Sequence, residues 1–318
     1  MHCRIEEAAQ TLRHSGHKDK DKVKRELIEG ICIPQFARLV ERQDVGWWRE
    51  RLARLPRERR KCNALVSERI LPFGRGVREE IVERFCPKRF CDAIKSSEKD
   101  EDCLLRCYLG RWESHRSSSS SSSSRRSMFS SFTLRNYPLT LRQMLELGCP
   151  VEEYVKIMAD TLAFLHWGAN IDAHDVEFVL APPSNHLYTH SGRIFHNEVL
   201  GPHCLWILDF DCVRPVGVEG DGDGDGDGEG EGVERMVRLH YVNDPYYPRP
   251  GTGNEEMERL WDVFRERYLD ASQKILGEGS GLPEEMVRRL KARGLEIAGR
   301  KRLVYGLEKD DTKHGEGD

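Results

Sequence analysis

The sequence predicts an α+β fold in two parts, the second rich in helices, on three observations. Ahead of a serine tract at 117–124, apolar runs of strand length alternate with one brief amphipathic helix. After that tract, apolar residues recur at helical spacing over longer stretches. Between 162 and 211, a helix end, a loop bearing several carboxylates and an apolar strand closing on an acid follow one another.

In the first part, 63–71 (NALVSERIL) reads as a strand stopped by Pro72 and Gly74. Residues 77–85 have helical spacing that ends before Pro87, and 102–109 (DCLLRCYL) read as a second strand. The extreme N-terminus is polar and helix-like at 5–12, then strongly charged at 18–29. In the second part, 139–147 forms a short amphipathic helix. Pro150 then opens a longer one, with Glu152 and Glu153 in the first turn, where they complement the helix dipole. Val151, Tyr154, Val155, Met158, Leu162 and Leu165 make its apolar stripe, and Gly168 ends it. The run 204–208 predicts a strand buried on both faces that delivers Asp209 at its end. Two helices follow. One spans 254–276 and turns Met257, Leu260, Trp261, Phe264 and Tyr268 to one side; the other spans 283–293, acids first and bases last.

Two low-complexity segments interrupt this plan. Serine-rich 113–131 and the glycine–acid alternation at 217–233 carry too little apolar surface to offset the entropy of ordering their backbone. Both are expected to be disordered, as is the tail at 308–318. The expected units are therefore a mixed α/β first lobe at 1–112, shortened at its start, a helical lobe at 132–276, and a helical extension at 277–307.

The whole-chain balance narrows the function classes. Across 318 residues, 50 Lys+Arg stand against 54 Asp+Glu, so no charge excess recommends a nucleic-acid or membrane-surface partner. No apolar run approaches the roughly 20 residues of a membrane-spanning helix, and the start, MHCRIEE, lacks the layout of a secretory signal. An intracellular protein is expected, its ten cysteines reduced and mostly in the core.

The carboxylates carry the sharper reading. Phosphoryl transfer needs one acid near the attacking hydroxyl and others to hold magnesium against the phosphates. Segment 170–177 (NIDAHDVE) resembles, without a gap, the protein kinase catalytic loop His-Arg-Asp-x-x-x-x-Asn, and 209–211 (DFD) stands where Asp-Phe-Gly would. That resemblance implies an incomplete, degenerate protein kinase-like two-lobed fold. It implies Asp172 as catalytic base, with Glu177 and Asp209 binding Mg and ATP. The departures matter equally. The loop's His and Asn are absent, Glu177 adds negative charge, and His174 and Asp175 stand near the place of a phosphate-neutralising lysine. Upstream there is neither a Gly-x-Gly-x-x-Gly loop nor the strand lysine paired with a helix glutamate. A non-catalytic kinase-like binding or scaffold module with a protein partner is the expectation. An Mg-ATP-dependent phosphotransferase and an interaction protein with purely structural carboxylates are the alternatives.

Plainer roles stand beside these. Asp172 or Asp175 can cap a turn, His166 and Trp167 can simply pack, and Asp211 can pair with Arg214. Cys86-x4-Cys91 and Cys103-x3-Cys107 lack the tight Cys-x2-Cys knuckle of zinc sites. Residues 223–234 match a calcium loop in letters, yet Gly230 holds the position of its apolar residue. The run 242–250 (VNDPYYPRP) suits either a partner-binding surface or a proline-braced core wall.

Several separated words also agree in order with a filamentous-fungal family of unknown function, commonly called zinc finger protein. They are NALVSERI (63–70), CLLRCYLG (103–110), LRNYPL (134–139), LHW (165–167), IDAHDVEFVL (171–180), LWILDFDC (205–212) and NDPYYPRP (243–250). The chain resembles that family from about 31 to 272. The resemblance implies no catalytic or binding residue, and the paired Cys and His spacing of a zinc finger is missing from this chain.

Overall fold

The computed structural model describes residues 27–55, 59–112, 132–184, 192–216 and 229–305. The segments expected to be disordered at 113–131 and 308–318 lie outside the described residues, as does 217–228.

A two-stranded antiparallel sheet, β1 (Phe36–Val40) and β2 (Ala64–Ser67), comes first in the described chain. Between its strands lies α1 (Val45–Arg51), whose first turn is capped by Asp44 accepting the Trp47 N–H. Helices α2 (Arg75–Phe85) and α3 (Cys91–Lys95) follow. The main sheet has five strands, in the order β4 (Tyr137–Thr140), β3 (Leu105–Tyr108), β5 (Glu177–Ala181), β7 (Gly201–Leu208), β6 (Phe195–Asn197). Only β3 and β4 run parallel; the other pairs are antiparallel.

Two expectations change here. The 102–109 strand was assigned to a separate first lobe, but as β3 it lies between β4 and β5 inside the main sheet. One continuous apolar core accordingly runs from Leu27 through Ile81, Leu105 and Leu139 to Leu290. The helix expected at 139–147 begins later, because Tyr137–Thr140 is strand. Pro138 is tolerated there since β4 is an edge, and Thr140 then caps α4 (Leu141–Glu146) through a capping box with Gln143.

Helix α5 (Val151–Ala163) continues into a π turn at Phe164–Gly168. Its apolar stripe proves too narrow a description, since Ile157, Ala159, Thr161 and Ala163 are buried as well. The helix is central. On one side the Tyr154 hydroxyl meets His203 Nε2 of β7 at 2.5 Å; on the other, Asp160 accepts two bonds from Arg267, at 2.7 and 2.8 Å. Arg267 belongs to α7 (Glu255–Leu276), which Asn254 caps and Gly277, at φ +86°, ends.

Helix α6 (Glu229–Val242) begins inside the stretch expected to be disordered at 217–233. Burial of Val233, and Arg289 of α8 (Leu282–Tyr305) reaching the Gly230 carbonyl and Glu234, order that end despite its composition. Helix α8 itself runs beyond the expected end at Arg293, its surface laced by Arg293–Glu296–Arg300 ion pairs. Among the described residues no helix is long and apolar enough to cross a membrane.

Candidate functional site

A cleft of about 900 Å³ opens between β2 and the exit of β7. Leu65, Ile70, Pro72, Leu104 and Leu208 give it an apolar wall, and Asp209 and Asp211 stand at its edge. The strand explains their placement. Residues 203–207 of β7 are buried, Leu208 pairs with Glu177, and the chain then leaves the sheet at Asp209 with φ +66°. Aspartate tolerates this left-handed conformation better than most residues. Phe210 is anchored in the core, so the acids on either side of it are exposed. Desolvation in the cleft, the hydrogen bond with Asp211, and the charges of Asp211, Glu177 and Asp175 push the Asp209 carboxyl up to about 6. The expected Asp211–Arg214 pair does not form among the described residues; Asp211 shares a hydrogen bond with Asp209, and the Arg214 backbone is committed elsewhere.

That commitment is to the loop before β5. Asn170, Ala173 and Asp175 all adopt positive φ, at 52°, 51° and 60°, a concentration of backbone strain in one short loop. Asp172 holds the loop together. Its Oδ1 accepts the His174 N–H at 3.2 Å and the Arg214 N–H at 3.0 Å, its own N–H donates to the Arg214 carbonyl, and Arg235 Nε stands 3.4 Å from Oδ2. Asn243 clamps the same loop from α6's end, donating to the Ala173 carbonyl and accepting the Asp175 N–H.

Asp172, expected as the catalytic base, is 3% exposed. Beside the bridge between Ile171 and Pro215, its carboxylate is turned onto backbone amides. The exposed acid of this loop is Asp175. Its charge acts on Asp209, Glu177 and Cys212, which places all four in one electrostatic neighbourhood.

Glu177 is largely spoken for. It pairs with Arg106 of β3, whose other arm reaches Asp244 at 2.9 Å, while Tyr108 donates to that same Asp244 oxygen. Burial still outweighs the arginine and pushes the Glu177 carboxyl up. Among the described residues, no three His, Cys, Asp or Glu side chains are placed to hold a metal ion. The cysteine pairs do not converge either. Cys91 Sγ faces the carbonyls of Val82, Cys86 and Pro87, whereas Cys107 Sγ lies 3.4 Å from Met144 Sδ.

Two residue groups were missed in the sequence. Arg106 was a readable signal, a lone charge in an apolar strand that needs a partner once buried. Asn243 and Asp244 gave none, since their role depends on a loop distant in the chain. The neighbouring Tyr246 and Tyr247 are buried, which makes 242–250 mainly a core wall and not a docking surface.

Residues 205–280 match a family model described as zinc finger protein. The match starts within β7, takes in Asp209 and Asp211 and closes just after α7, a smaller span than the 31–272 over which the words above agree. It leaves out Asp172, Asp175 and Glu177. Within it stand one cysteine, Cys212, and one histidine, His240, so the matched stretch alone lacks the ligands of a zinc finger. His240 is buried against Tyr247 and Phe264. No curated protein and no solved structure matches the chain.

Proposed function

We propose that the chain is a non-catalytic, kinase-like binding or scaffold module that uses the cleft beside Asp209. One observation carries this reading: the acid in the catalytic-base position, Asp172, is caged by two backbone amides and serves the fold. The remainder of the resemblance agrees with it. A β5–β7 pair presents Asp209 at its exit, beside a cleft of ligand size, yet Glu177 is already paired with Arg106.

An Mg-ATP-dependent phosphotransferase is the second reading, and exposed Asp175 beside Asp209 favours it. Asp175 would then take the proton of the acceptor hydroxyl, while Asp209 would face the metal carried by the nucleotide. Transfer of label from ATP to a mixed protein acceptor, with Mg present, separates the two. The binding-module reading requires that wild-type transfer match that of an Asp175→Asn, Asp209→Asn double variant. Transfer above that background overturns it. In parallel, Mg-ATP at about 100 times its dissociation constant should stabilise a nucleotide-binding cleft by about 2.7 kcal/mol, an effect lost in Asp209→Asn.

A further inference from the structure

We propose that the cleft takes an organic cation, a protonated amine or guanidinium on a flat apolar body, with its charge set against Asp209 and Asp211. This rests on the reading of the cleft as a binding site. Its volume of about 900 Å³ suits a small organic molecule, for which sites of about 300–1,000 Å³ are usual. Its apolar wall is fixed surface, since Ile70, Leu104 and Leu208 pack against the buried cluster around Trp206. A flat ring laid on that wall takes its facing side and the wall beneath it out of water.

The charges in the cleft are unequal. Of its two arginines, Arg69 is already paired with Asp102 at 2.8 Å, and exposed Arg135 brings one positive charge against the two acids Asp209 and Asp211. Glu68 is engaged by the Ser184 hydroxyl and the Gln35 N–H. Among the described residues no arginine or lysine pairs with Asp209 or Asp211. The two acids share a hydrogen bond with each other, with Glu177 and Asp175 adding negative field behind them. Burial and that field push the Asp209 carboxyl up, and a bound cation would pull it back down.

The same features disfavour an anionic ligand. The cleft's cations are Arg69, held by Asp102, and Arg135, and a phosphate entering beside Asp209 would meet two carboxyls first. The described acids are not grouped tightly enough to fix a metal that would screen them. A diffuse organic cation needs no such convergence, because one charged bond and a stacked ring suffice to orient it.

The test uses the full chain, tryptamine as the cationic probe, and indole-3-propionate as the same ring with the opposite charge. Calorimetry gives both affinities for wild type and for an Asp209→Asn, Asp211→Asn double variant. Both changes keep side-chain shape, and asparagine tolerates the left-handed backbone at 209. Tryptamine should bind wild type at least about tenfold more tightly than the acid does, and the variant should lose about tenfold in tryptamine affinity while melting as wild type does. Equal binding of the two probes, undiminished tryptamine binding by the variant, or no tryptamine binding overturns the proposal. If Mg-ATP then binds in an Asp209-dependent way, the cleft reading stands and only the cation is wrong. If neither binds, the cleft reading falls too.

Discussion

Replacing Asp172 with alanine should destabilise the protein by about 3–5 kcal/mol, a magnitude that follows from what the carboxylate holds. Two partly buried backbone N–H groups, of His174 and Arg214, lose a charged acceptor, at about 1–3 kcal/mol each. Arg235, 3.4 Å away and 28% exposed, adds about 1 kcal/mol or less. Ala173, at φ +51°, also loses the restraint that keeps it in a disfavoured conformation. For a chain of this size each kcal/mol lowers the melting temperature by about 2–3 °C, so the variant should melt roughly 10 °C early. Asp175→Asn is the control. It alters an exposed acid and retains left-handed tolerance, so its effect should stay within about 0.5 kcal/mol. Thermal unfolding followed by near-ultraviolet circular dichroism reads both. If Asp172→Ala melts within about 2 °C of wild type and abolishes a measurable phosphotransfer, the structural role assigned to Asp172 is refuted and its catalytic role restored.

Other outcomes follow from the same geometry. Burial holds His166 and His240 neutral, each pushed down to about 3, against an ordinary value of 6.5 in the unfolded chain. Between those values the unfolded chain binds protons that the folded one refuses, so stability falls as pH drops through that window, by about 2 kcal/mol per histidine at pH 5. His240→Phe, which keeps the stack on Tyr247, should remove about half of that acid loss in urea titrations at pH 7 and 5. Arg106→Met should cost roughly 2–4 kcal/mol at neutral pH by leaving Glu177 and Asp244 together without their cation. Its deficit relative to wild type should narrow in acid as Glu177 takes up a proton; a deficit independent of pH would show that packing dominates. Gly110→Ala drives a Cβ into the Tyr247 carbonyl and sets it 3.1 Å from that of Pro245, both backbone, and should cost about 2–3 kcal/mol in chemical denaturation.

The parts that local sequence encodes were readable. Helix α7 lies where its five-residue apolar face placed it, and Asn254 and Gly277, which bound it, act on their own neighbours. The strand into Asp209 was readable for a similar reason: an unbroken apolar run can be satisfied only by burial on both sides. Strand β4 was not, since four residues containing a proline make a strand only when β3 is beside them. The start of α6 was hidden by glycine–acid composition that Arg289 and a buried Val233 override. At the site, sequence supplied the acids without their direction. Asp172 faces inward because 171–172 meet 214–216 across the fold, a contact no spacing encodes. Asp209 faces outward because of one backbone angle and a buried Phe210.

The parallel pairing of β3 with β4 joins residues on opposite sides of 113–131. A single proteolytic cut in that interval would therefore leave two fragments stitched along a shared sheet edge and a common core, co-migrating until a denaturant parted them. Each fragment made separately would lack the other's contribution to the sheet and expose core side chains such as Leu105 or Leu139. Expressed together they would behave as a split protein whose reassembly reports on the integrity of that sheet.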